Sequence, residues 1–184
     1  LLKKIMLSRD LIIYPKEISD IEVLVPEERK KVIKEELEEM REQYCALNGL
    51  FFDKSYPKGA LIEKYTAFIN LNPKYYAAYR DRAILYTHIG KYREAVADNQ
   101  LLITHNERVW SDAIINKAEA LFFLKDYDEA LKIANHYFAI CEKPTAECYR
   151  IRAEIFRKLK MSDEYKADMR ESKRLRKEEK NRIW

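Results

Sequence analysis

The 184-residue chain holds only 3 glycines and 5 prolines. That is too few for the tight hairpins of an all-β sandwich or the Gly-rich phosphate loops of a nucleotide-binding α/β domain. Its 3 cysteines, Cys45, Cys141 and Cys148, show no C-x-x-C or His/Cys metal spacing, which suits thiols in a reducing compartment rather than a disulfide scaffold. No apolar run approaches the ~18 residues that span a bilayer. The opening Leu1 to Met6 carries two lysines and is too short for the apolar region of a signal peptide, so the expected compartment is the cytoplasm. What is plentiful is apolar and charged side chains, 47% and 36% of the chain. These supply the core and the surface of one helical domain. The net charge of +4 is too small to imply a nucleic-acid or membrane partner by itself.

A repeat organises the chain. Gly90-Lys-Tyr-Arg-Glu-Ala95 recurs as Lys125-Asp-Tyr-Asp-Glu-Ala130, a step of 35 residues. In that register Tyr44, Tyr79, Ile114 and Tyr149 form one large apolar series, and Phe51, Tyr86, Leu121 and Phe156 form another. Asn48, Ala83, Ala118 and Ala153 form a small series, and Ala60, Ala95, Ala130 and Tyr165 share a further position. Four units result, 41–75, 76–110, 111–145 and 146–180. Apolar offsets of 3, 4 and 7, as in Tyr79, Ala83 and Tyr86 and again from Tyr92, make each unit two helices. Gly90, Lys125 and Lys160 fall at the turn between them, where a positive φ closes the first helix. The alanine columns let the paired helices approach closely, while the larger columns fill the space between successive units.

The spacing Tyr79-x3-Ala83-x2-Tyr86-x3-Gly90-x-Tyr92-x2-Ala95, echoed by Ile114, Ala118, Leu121, Tyr127 and Ala130 and by Tyr149, Ala153 and Phe156, resembles the tetratricopeptide repeat. The usual unit has 34 residues, so each unit here carries one more, expected in the turn between repeats. The resemblance implies an all-α fold: a right-handed superhelical solenoid of about four hairpins, with an N-terminal extension and a C-terminal capping helix. A 35-residue hairpin is also the length of a pentatricopeptide repeat, which reads RNA. The aromatic two positions after the turn residue, Tyr92 and Tyr127, favours the first family. The family's groove is lined by first helices. Carried over position by position, it implies a partner-binding groove of Arg80, Ile84 and His88, then Asp112, Ile115, Glu119, Phe122 and Phe123, then Arg150, Glu154, Arg157 and Lys158. In that groove Arg80, Arg150 and Arg157 are the charge contacts, and Phe122 or Phe123 is the apolar anchor or a core residue. Some members capture chaperone C-termini with a Lys/Asn/Asn/Lys/Arg clamp. Here Arg80 and Asn116 fit, but Ile84, Glu147 and Ile151 stand where Asn, Lys and Arg are required, and Glu147 would repel an acidic tail.

Residues 1–40 precede the repeat. Pro26 followed by Glu27 and Glu28 marks a helix start near 26. The β-branched clusters of residues 1–25 read as a cap on the first unit or as a docking segment, extended or helical. At the other end, where 181–184 follow the fourth unit, residues 146–184 carry 13 Lys and Arg against 8 Asp and Glu. The basic excess of the chain therefore lies there, at Lys173, Arg174, Arg176, Lys177, Lys180 and Arg182. A capping helix needs such a solvated face. Little else suggests chemistry. His88, His105 and His136 stand at no metal spacing from a cysteine or carboxylate, and neither a nucleophile elbow nor a phosphate loop occurs. The expectation is a non-enzymatic scaffold or adaptor without cofactor or metal, whose partner is a protein or peptide. The alternatives are RNA association through the basic C-terminal helix and self-association through the N-terminal segment.

Overall fold

The computed structural model describes residues 27–106 and 109–182. The segment read as a cap or docking segment, residues 1–25, lies outside them. Eight α-helices make up the described residues: α1 Glu27–Phe52, α2 Lys58–Leu71, α3 Tyr76–His88, α4 Tyr92–Asn106, α5 Ser111–Phe123, α6 Tyr127–Ile140, α7 Ala146–Lys158 and α8 Ser162–Arg182. The helix expected from Pro26 starts at Glu27 and runs unbroken to Phe52, through the boundary drawn between the extension and the first unit. The chain divides into two compact units, Leu1–Leu85 and Tyr86–Trp184.

The three turn residues predicted by the 35-residue step are the three residues with positive φ among those described: Gly90 at 78°, Lys125 at 67° and Lys160 at 62°. Each closes its helix with the same pair of backbone bonds. Gly90 N–H reaches Thr87 O at 3.2 Å, and Lys91 N–H reaches Tyr86 O at 2.9 Å. Lys125 and Asp126 repeat the pattern onto Phe122 and Leu121, at 3.0 and 3.1 Å, and Lys160 and Met161 onto Arg157 and Phe156, at 3.3 and 3.0 Å. This is a Schellman motif, which satisfies the carbonyls that a helix end orphans. The apolar column Tyr86, Leu121 and Phe156 thus supplies the carbonyl that seals each turn.

In the first unit Leu37, Met40, Tyr44, Leu61, Tyr65, Phe68, Tyr79 and Ala83 form the interior, and α1 packs on α2. Tyr44, Phe68 and Tyr75 cluster with ring centroids 4.6 to 6.1 Å apart, an arrangement that adds to area burial. In the second unit Ile114, Ala118, Leu121, Ala130, Ala134, Tyr137, Cys148, Ile151 and Ile155 make a continuous core. The small columns are buried as the repeat requires, Ala118, Ala130 and Ala153 at 0% exposure. α5 packs on α4, α6 and α7, and α7 packs on α6 and α8.

Candidate protein-binding face

On α5, residues Asp112, Ile115, Glu119, Phe122 and Phe123 fall on one stripe. On α7, residues Glu147, Arg150, Glu154 and Arg157 fall on another, with Lys158 beside them. Arg150 joins the two helices. Its Nη2 donates to Glu119 Oε1 at 3.3 Å, and its Nε donates to Glu147 Oε1 at 2.8 Å. Glu147 Oε2 also accepts from Arg176 of α8 at 3.2 Å. Two turns further along α7, Arg157 donates twice to Glu154 Oε2, at 2.7 and 2.9 Å. Asp112, Arg157 and Lys158 are exposed.

The two carboxylates that share Arg150 respond in opposite directions. Burial raises the pKa of Glu119 above its ordinary value, against the pull of Arg150. The hydrogen bonds from Arg150 outweigh burial at Glu147 and hold it below its ordinary value. The difference follows from position. Glu119 is the more enclosed and receives one long bond, whereas Glu147 lies more open and takes two guanidinium groups.

The end of the α5 stripe is aromatic. Phe123 is 43% exposed and lies nearly parallel to Tyr92, centroids 4.8 Å apart at 12°. Phe122 meets Phe123 edge-on at 5.4 Å and Tyr127 at 5.7 Å, packed against the core. Of the two anchors read from the sequence, Phe123 is the one that offers surface. Ile115 requires a correction: it is 3% exposed and belongs to the core. Because α5 has helices on several sides, an aliphatic side chain at that position is enclosed rather than offered to a groove.

The remaining groove residues lie on α3. His88 is exposed at the end of α3, and Ile84 is half-buried. Arg80 is committed to its neighbour Asp81, a buried carboxylate that takes Arg80 Nη2 and Nε on Oδ1 at 2.8 and 2.9 Å. Tyr44 and Tyr65 hydroxyls donate to Asp81 Oδ2 at 2.6 and 3.3 Å. Burial and that carboxylate raise the pKa of both phenols far above their ordinary value. Asp81 was missed from the sequence, as was a polar column. Arg82, Lys117 and Arg152 stand 35 residues apart, and each bonds back to the helix before its own: to Thr66 at 3.1 Å, Gln100 at 2.7 Å and Asn135 at 3.4 Å. The 35-residue register carries that signal in its polar column as it does in the apolar ones.

Paired helices closed by a recurring turn and stacked through alanine columns define an all-α, tetratricopeptide-like helical-repeat fold. No family model matches the sequence. The fold is similar to a solved structure described as "Crystal structure of MamA", with a TM-score of 0.63 and 19% identity over 84% of this chain and 87% of that one. It is also similar to "MamA MSR-1 C2", with a TM-score of 0.56 and 16% identity over 66% and 69%. In sequence, 85 residues are 31% identical to Hsp70-Hsp90 organizing protein 3 of Arabidopsis thaliana. That stretch is 46% of this chain and spans 15% of the length of that relative. Among the described residues no group of three or more His, Cys, Asp or Glu is placed to hold a metal ion, and no helix is long and apolar enough to cross a membrane.

Proposed function

We propose that the protein is a non-enzymatic interaction module that receives a peptide or partner helix on the α5/α7 face. The observation that supports this most is the Glu119–Arg150–Glu147 link between two neighbouring first helices, with the exposed ring of Phe123 one turn from Glu119. Charged groups already paired in a fixed geometry set orientation and specificity, while an exposed aromatic supplies apolar area at low entropic cost. The name of the Arabidopsis relative describes an organizer of two other proteins, which agrees with an adaptor. The occupant has mixed charge rather than an acidic C-terminal tail, because Glu147 stands where a clamp needs a lysine.

The test is capture from native lysate by wild type and by Phe123→Ala/Arg157→Glu. Both side chains are exposed, so the helical content seen by circular dichroism is expected to stay unchanged. Loss of a specific partner supports the face, and an unchanged set of partners overturns it. Arg80→Glu is unsuitable for this purpose, since it would set a second carboxylate against buried Asp81.

One observation favours a second reading, association with RNA. On α8 the exposed cations Lys166, Arg170, Lys173, Lys177 and Lys180 recur at steps of 4 and 3 along one side. Arg174 and Arg176 are committed to Glu171, Glu178 and Glu147. Retention of RNA that falls steeply with added salt supports this reading, and no retention at low salt rejects it. Self-association through residues 1–25 is a third. An unchanged solution mass after their deletion would reject it.

A further inference from the structure

The two cysteines that flank the α6–α7 connector meet at one phenol. Cys141 caps α6, its N–H bonded to Tyr137 O at 2.9 Å, and its Sγ lies 3.2 Å from the Tyr137 hydroxyl. Cys148, in the first turn of α7, places its Sγ 3.2 Å from the same oxygen. The two legs of 3.2 Å cap the sulfur–sulfur separation at about 6.4 Å. Thr145 braces the second thiol: its Oγ1 accepts the Cys148 N–H at 3.4 Å and lies 3.2 Å from Cys148 Sγ. Cys148 is buried, whereas Cys141 is half-buried at the edge of the core and follows the last helical residue of α6.

We propose that Cys141 and Cys148 are a redox pair that closes to a disulfide when the surrounding thiol–disulfide balance turns oxidising. Cys141 is the entry thiol because solvent reaches it. Its thiolate attacks a small-molecule disulfide such as glutathione disulfide, forming a mixed disulfide and expelling one glutathione thiolate. The thiolate of Cys148 then attacks the Cys141 sulfur and expels the second. The two thiol protons end on the two glutathiones, so two protein thiols are oxidised and one disulfide is reduced. Rotation about the cysteine side chains, with adjustment of the exposed residues Glu142 and Lys143, brings the sulfurs to the ~2.05 Å of a bond. The bond ties the first turn of α7, which holds Glu147 and Arg150, to the end of α6. That consequence for partner binding rests on the reading of the α5/α7 face, whereas the thiol chemistry does not.

The test uses the full chain carrying Cys45→Ser, which removes the exposed thiol on α1, in glutathione buffers of graded ratio. The Lys143–Pro144 bond resists trypsin, so both cysteines stay in one peptide, 133–150. The expected result is a peptide about 2 Da lighter, restored by dithiothreitol. It should form at a glutathione disulfide-to-thiol ratio at least about tenfold lower in the native chain than in urea. With Cys148→Ser added, a mixed glutathione adduct is expected to persist at Cys141. Free thiols at both positions, stable separate adducts, covalent dimers, or equal ratios in native and unfolded chain would each overturn the pair. Capture of partners plays no part in this readout, so its outcome stands apart from that of the proposed function.

Discussion

A carboxylate in an apolar interior persists only while its oxygens are bonded. Asp81 meets that condition through two tyrosine hydroxyls and one guanidinium. Tyr44→Phe removes the shortest of these bonds and keeps the ring. It is expected to cost about 1.5–3 kcal/mol, read as a lower urea midpoint. The buried phenols, two at this site and Tyr137 beside Cys141 and Cys148 in the other unit, carry an alkaline signature. Tyr44, Tyr65 and Tyr137 ionise above their ordinary 10.0 in the folded chain, while the unfolded chain releases those protons near that value. Their contribution to stability is therefore complete below pH 10 and is lost as pH rises past it, by about 1.4 kcal/mol per pH unit for each tyrosine. Tyr44→Phe should flatten that slope by one proton's worth. The tyrosine bonds were not legible locally, because Tyr44 and Tyr65 lie 37 and 16 residues from Asp81. Their meeting depends on how α1, α2 and α3 pack.

The turns were legible, since a constraint on one φ angle is local and recurs at every 35th residue. Lysine fills two of the three sites at a conformational cost of about 1–2 kcal/mol against a right-handed backbone. A β-carbon at Gly90 would meet nothing closer than the Tyr92 ring at 4.0 Å, so the requirement there is backbone conformation rather than space. Lys125→Gly and Lys160→Gly are accordingly expected to stabilise by roughly 0.5–1 kcal/mol each, the relief of strain exceeding the added freedom of the unfolded chain. A thermal melt would show each as a rise of a few degrees or less. Gly90→Ala is expected to move the melt the other way. The alanine columns were legible for the same periodic reason. Ile115 was not, because whether a residue on a stripe meets solvent depends on the helix laid beside it.

Over the molecule as a whole, the sequence located the basic excess at the C-terminal end, and the helix there divides it in two. Its arginines at 174 and 176 are paired with carboxylates, while the exposed lysines at 173, 177 and 180 form no ion pair among the described residues. The Arg174 pairs follow from helical spacing within α8, whereas the Arg176–Glu147 pair needs the antiparallel register of α7 against α8. Ser172 Oγ donates to Ala146 O at 2.7 Å in that register. Arg152 works across it as well, forked onto Asp168 at 2.8 and 2.9 Å and laid over the Phe138 ring of α6 at 3.6 Å. In mechanical terms this side chain is a clasp. A load applied through the C-terminal end must shear the guanidinium fork and the Ser172 bond together before α8 can peel from α7. Asp168→Asn is expected to lower the force of the first rupture in single-molecule pulling without moving the later ones. Tension on the last helix is thus carried through Arg152 to α6, and three helices resist it as one body until that side chain lets go.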